Sequence, residues 1–172
     1  SNIDFMAGKD SGQNVFMLTS FNPGSGKSFL AMNIAMSFAI KKKRILVIDG
    51  DLRHGSTSSY VDSPKTGLSD YLGNRVSDWK EIIVKDEKYD NLHIIPIGTV
   101  PPNPTELLED GKLATLIEVL RSEYDYIFID CPPIDIVADA QIIEKLADRT
   151  VFVVRSGLLD RSMLPELENI YQ

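Results

Sequence analysis

Four short runs of almost unbroken apolar residues constrain this chain more than any other feature. They are Val15–Thr19 and residues 45–48, 126–129 and 151–154. All four are rich in β-branched and aromatic residues, and none alternates between apolar and polar. A strand reads this way when both of its faces are covered, as in a parallel sheet. Residues 92–97 form a fifth run of the same kind. The intervening segments repeat with the helical period instead. Phe29, Met32, Met36 and Ile40 fall on one stripe, with Ala31, Ala35 and Ala39 on other faces, so this helix is expected to pack on more than one side. Leu113, Leu116, Ile117 and Leu120 make a second stripe, and Ile142, Ile143 and Leu146 a third. Strands alternating with helices predict right-handed βαβ units. The expected fold is α/β: a three-layer, doubly wound, mainly parallel sheet. Ligands of such sheets bind beyond the C-terminal ends of the strands.

Composition narrows the function classes. The 172 residues suit one domain with a proper core. With 43% hydrophobic and 25% charged residues, the chain is neither disordered nor fibrous. Lys and Arg total 18 against 25 Asp and Glu, and the resulting charge of −7 argues against nucleic acid as a partner. No apolar run is long enough to span a membrane, and the first dozen residues lack the apolar stretch of a signal peptide. Cys131, the single cysteine, cannot form an internal disulfide, which points to a reducing cytosol.

The loop after the first strand carries the sharpest signal. It reads Phe21-Asn22-Pro23-Gly24-Ser25-Gly26-Lys27-Ser28 and runs into the long helix. A Gly-Lys-Ser tail at a strand-to-helix turn is a phosphate-loop signature. Gly24 and Gly26 let backbone N–H groups approach phosphate oxygens, and the helix N-terminus adds unpaired donors. Lys27 brings a full charge to the terminal phosphates and is expected to be partly exposed in a cleft. Ser28 offers a hydroxyl to Mg²⁺. Phe21 stands where the common pattern has its first glycine, leaving the Pro-Gly-x-Gly-Lys-Ser/Thr variant of the loop.

Two carboxylate sites follow on later strands. The second strand runs into Asp49-Gly50-Asp51-Leu52-Arg53. If the chain stays extended, period-two alternation puts Asp49 and Asp51 on one side, suited to metal coordination and proton transfer. A plain Asp-Gly turn is the simpler reading of the same residues. The third strand of the set ends Ile129-Asp130-Cys131-Pro132-Pro133, a Walker B pattern whose Asp130 would hold Mg²⁺ directly or through water. Arg53 could meet a phosphate or pair with an acid, and Arg155 could line the same pocket. Lys41-Lys42-Lys43-Arg44 reads as a solvated helix end. Cys131 and Trp79 read as packing residues, and His54 and His93 as structural.

Taken together, these residues resemble the Walker A, A′ and B motifs of the bacterial tyrosine kinases of capsular and exopolysaccharide production. Gly67-Leu68-Ser69-Asp70-Tyr71-Leu72, Pro101-Pro102-Asn103-Pro104-Thr105-Glu106-Leu107-Leu108 and Val153-Val154-Arg155 fit the same family. The resemblance implies transfer of the ATP γ-phosphoryl group to tyrosines. Lys27 would be catalytic with Asp49 and Asp51. Pro23, Gly24, Ser25, Gly26, Lys27, Ser28 and Arg155 would bind ATP or ADP, and Ser28, Asp49, Asp51 and Asp130 would hold Mg²⁺. It also implies a transmembrane chain-length regulator that activates the kinase in cis or in trans, at the cytoplasmic side of the bacterial inner membrane. The full-length form would be a homo-oligomer. The family's tyrosine cluster and assembly motif are missing, so residues 1–172 read as one catalytic domain trimmed at both ends, expected to be monomeric and a poor autokinase. Leu164, Leu167 and Ile170 predict a helix over residues 162–171. The competing readings are a MinD/ParA-type ATPase, which would carry lysine where Asn22 stands, and a regulatory module that binds nucleotide without transferring phosphate.

Overall fold

The computed structural model describes residues 12–20 and 26–153. Its strands are β1 (Val15–Thr19), β2 (Ile45–Asp49), β3 (Val84–Lys85), β4 (Leu92–Ile95), β5 (Tyr126–Asp130) and β6 (Arg149–Phe152). Its α-helices are α1 (Lys27–Ile40), α2 (Leu68–Leu72), α3 (Pro104–Glu109), α4 (Lys112–Arg121) and α5 (Val137–Leu146). Short 3-10 turns occupy Ser58–Val61 and Trp79–Ile82. The six strands form one sheet in the order β3-β4-β2-β5-β1-β6. Every neighbouring pair is parallel except β3 with β4.

Period-two alternation divides the central strands between two cores. Phe16, Leu18, Ile45, Val47, Tyr126 and Phe128 pack with α1 on one face. Val15, Met17, Leu46, Ile48, Ile127 and Ile129 pack with α2, α4 and α5 on the other. Both faces are covered, which explains the continuous apolar runs. The α1 face differs from the expected stripe. Phe29 and Ile40 are exposed, and the helix packs through Ala31, Met32, Ala35, Phe38 and Ala39. The alanines let the helix sit close to the sheet, and the Phe38 ring lies 4.7 Å from that of Tyr126. The α4 stripe is buried as expected, and Ile143 anchors α5.

Element boundaries also differ. β2 and β5 each run one residue further than their apolar runs, so that Asp49 and Asp130 are strand residues, paired in register. β4 stops before Pro96, which has no N–H to give to a ladder. β6 begins two residues earlier than expected, at Arg149. α2, α3 and β3 were not expected. α2 is tied down by its neighbours: the Leu68 and Ser69 N–H groups donate to the Pro96 and Ile97 carbonyls at 2.8 and 2.9 Å. Gly67 lies against this backbone so closely that a Cβ would overlap the Pro96 carbonyl oxygen and the Gly98 nitrogen. The helix expected over residues 162–171 lies outside the described residues.

Candidate active site

α1 begins at Gly26, which holds φ of 79° in the left-handed region. A Cβ there would meet nothing within 4 Å, so glycine is needed for conformation rather than space. No side chain among the described residues caps the helix, which leaves first-turn N–H groups available to an anion. Gly26, Lys27 and Ser28 line a cavity of about 560 Å³ together with Ser20 after β1, Asp51 after β2 and Pro133 after β5. The cavity therefore sits at the C-terminal ends of three adjacent parallel strands, where such sheets bind ligands.

Asp130, the last residue of β5, is fully buried and organises the floor. Lys27 Nζ pairs with its Oδ1. Ser28 Oγ donates to Oδ2 at 2.9 Å, and Thr57 Oγ1 donates to the same oxygen. Lys27 is buried, not partly exposed, at 9% accessibility. Burial pushes its ammonium below the usual lysine range, and neighbouring carboxylates oppose that shift.

Asp49 and Asp51 have different surroundings. Asp49 is fully buried. Its Oδ1 accepts the Asp51 N–H at 3.1 Å, and its Oδ2 accepts the Ser58 N–H at 2.8 Å and Ser58 Oγ–H at 2.6 Å. Burial raises its carboxyl to about 6, with the Ser58 and Asp51 bonds pulling the other way. The extended form ends at Asp49. The chain then turns, with the Gly55 N–H donating to the Asp51 carbonyl at 2.9 Å. Of the two carboxylates, Asp51 is the one that lines the cavity. His54 Nδ1 lies 3.0 Å from Asp51 Oδ2, and His54 lines the same cavity.

Arg53 pairs with an acid. Its Nε donates to Asp139 Oδ2 at 3.0 Å, and Thr105 Oγ1 donates to Asp139 Oδ1 at 2.6 Å, fastening the loop after β2 to α3 and α5. Cys131 is buried and its thiol is pushed up to about 12 by that burial, as suits a packing residue. Thr57, Ser58, Thr105 and Asp139 were not singled out in the sequence. Each is an ordinary polar residue whose partner lies far along the chain. Pro23, Gly24, Ser25 and Arg155 lie outside the described residues.

The donors present fit a nucleotide with Mg²⁺. Asp51, Asp130 and the Ser28 hydroxyl are hard oxygen ligands beside an uncapped helix N-terminus. Among the described residues no group of three or more His, Cys, Asp or Glu side chains could hold a metal unaided. Mg²⁺ asks for less, because it is commonly held by one or two carboxylates, substrate phosphates and water.

Comparison with known proteins agrees with this arrangement. A family model described as an AAA domain matches residues 14–157. The tyrosine-protein kinase CpsD of Streptococcus pneumoniae is 39% identical over 149 residues, which cover 86% of this chain and 65% of that protein. CpsD of Streptococcus agalactiae is 36% identical over 164 residues, covering 94% of this chain and 69% of that one. A longer relative, AmsA of Erwinia amylovora, is matched at 36% identity over 22% of its own length. This chain therefore spans about two thirds of the shorter relatives and about a fifth of the longer one. Among solved structures, the kinase domain of the Escherichia coli tyrosine kinase ETK superposes with a TM-score of 0.85 at 30% identity, over 98% of this chain and 65% of that one. The cell-division ATPase MinD of Pyrococcus furiosus reaches 0.70 at 25% identity, over 82% of this chain and 59% of that one. With an AAA-domain match over residues 14–157 and a tyrosine-kinase relative that is 36% identical and covered over 69% of its length, the chain belongs to the bacterial tyrosine kinases, built on a MinD-like P-loop fold.

Proposed function

We propose that this chain is the catalytic part of an ATP-dependent protein-tyrosine kinase acting in capsular or exopolysaccharide production. One observation carries the reading. Lys27, Ser28 and Asp51 converge from two separate strand ends on one cavity at an uncapped helix N-terminus, and Asp130, at a third strand end, is bonded to Lys27 and Ser28. Asn22, where a MinD-type protein would carry lysine, favours the kinase over the ATPase.

In this reading Pro23, Gly24, Ser25, Gly26 and the first turn of α1 cradle the phosphates of ATP or ADP, and Arg155 also binds the nucleotide. Lys27 faces the terminal phosphate, exchanging its pairing with Asp130 for the phosphate oxygens. Ser28, Asp51 and Asp130 hold Mg²⁺, which would neutralise charge developing on the phosphoryl oxygens. Asp51 also receives the acceptor hydroxyl's proton, because it is the carboxylate of its pair that reaches the cavity. Asp49 supports it from behind through the Asp51 N–H.

The remaining parts of the proposal concern the whole protein. Relatives such as AmsA extend far beyond the matched region, and a structural neighbour is the chimerical protein CapA2B2, with a TM-score of 0.84 at 33% identity. Both support a membrane-spanning activator, fused or separate, that brings the domain to the cytoplasmic face of the inner membrane. No helix among the described residues is long and apolar enough to cross a membrane. The full-length protein would assemble as a homo-oligomer, with residues 1–172 a monomeric catalytic domain. Two measurements test the reading together: calorimetry with ADP and Mg²⁺, and an anti-phosphotyrosine blot of the full-length protein with its activator. Lys27→Met should abolish the blot signal. Tyrosine phosphorylation that survives in that variant would refute the proposal.

A further inference from the structure

Asp130 receives three side-chain donors, and they come from two different walls of the site. Lys27 and Ser28 belong to the first turn of α1, the turn that faces the phosphates. Thr57 comes from the opposite wall, just before the 3-10 turn at Ser58–Val61. In a nucleotide-loaded site the first two donors have other work, on phosphate oxygens and metal. A carboxylate at 0% exposure that lost both would keep one side-chain donor to fix its orientation. Thr57 is the donor that need not leave.

Its placement is also over-determined. Thr57 is fully buried, and its carbonyl accepts the Tyr60 N–H at 3.1 Å. The adjacent Ser58 is bonded twice to Asp49 Oδ2 and accepts the Ile97 N–H on its Oγ at 2.8 Å. Two neighbouring hydroxyls thus reach the carboxylates that end β2 and β5, and the end of β4 braces them.

We infer that Thr57 is a positioning residue that holds the Asp130 carboxylate in one orientation when Lys27 and Ser28 turn to the nucleotide. The inference rests on the kinase reading of the cavity. It is specific to the hydroxyl: Thr57→Val keeps the shape and removes the donor, whereas Thr57→Ser keeps the donor.

The test is calorimetric ADP binding to the same protein with Mg²⁺ and with EDTA, alongside circular dichroism to verify folding. A hydrogen bond to a charged group is worth about a factor of ten or more. In Thr57→Val, ADP affinity in Mg²⁺ should fall about tenfold, with less than a twofold change in EDTA. Thr57→Ser should restore the parental value. Should Thr57→Val not fold, Thr57→Ala reads the same quantity. Equal losses with and without Mg²⁺, a parental Mg²⁺ response in Thr57→Val, or failure of Thr57→Ser to rescue would each overturn the assignment. Parental ADP binding that ignores Mg²⁺ would instead sink the kinase reading of the cavity, and this assignment with it.

Discussion

Replacing Asp49 with Asn separates a buried charge from a buried shape. Burial raises the Asp49 carboxyl from 3.8 to about 6. Between those values the folded chain holds more of this proton than the unfolded chain. Stability therefore falls as pH rises through that window, the reverse of an acid held low by a cation. Worked from the two values, the step from pH 5 to pH 8 removes about 1 kcal/mol through this one group. An amide does not titrate, so Asp49→Asn lacks that slope. It carries a fixed penalty instead. The amide oxygen can serve Ser58, but its NH₂ then faces the Asp51 N–H, and a donor without an acceptor costs about 1–3 kcal/mol at every pH. The stability difference between parent and variant should accordingly shift by about 1 kcal/mol between pH 5 and pH 8, whatever its offset. Urea unfolding at one-unit intervals measures it, with the denaturant slope checked for constancy. A difference that stays flat across the range would refute the argument that burial raises the Asp49 carboxyl in the folded protein.

Three further outcomes follow from the geometry. Lys27→Met strands Asp130 without its counter-charge, so stability should drop by about 3 kcal/mol and phosphotransfer by at least about 100-fold. Adding Asp130→Asn should recover most of the stability and none of the activity, as read by chemical denaturation and a phosphotyrosine blot. Gly67→Ala drives a methyl group into the Pro96–Gly98 backbone and should cost about 3 kcal/mol, visible as a lowered melting temperature. Cys131, buried with its thiol near 12, should resist iodoacetamide at pH 8 in the native state and react fully in urea, as mass spectrometry would record.

The sheet was largely legible because each of its central strands is buried on both faces and so carries its signature within a few residues. Leu92, Ile94 and Ile95 could be read for that reason, but the stop before Pro96 could not, because the apolar run continues past it to Ile97. α1 was misread in detail: large side chains drew attention to Phe29 and Ile40, while the contact is made by alanines around Phe38. Small residues pack well and signal weakly. The site divides in the same way. Lys27, Ser28, Asp51 and Asp130 were legible because their chemistry depends on local spacing at strand ends. Thr57 and Ser58 were not, because their meaning comes from carboxylates 73 and 9 residues away, brought together only by the turn after β2. The division of labour between Asp49 and Asp51 was likewise hidden. Alternation treats them alike, and the turn separates them.

The shortest strand has a consequence for how such molecules behave in a crowd. β4 would otherwise offer the open rim of a parallel sheet, a row of unsatisfied peptide groups on which a second molecule could polymerise. β3 covers that rim with two residues, runs against the sheet's direction and ends in the exposed Lys85. A foreign strand arriving there finds a ladder about 7 Å long and a positive charge that resists desolvation. Fibre-like growth is thus blunted on this flank, and a second copy that approaches it meets side chains before it meets a free peptide ladder.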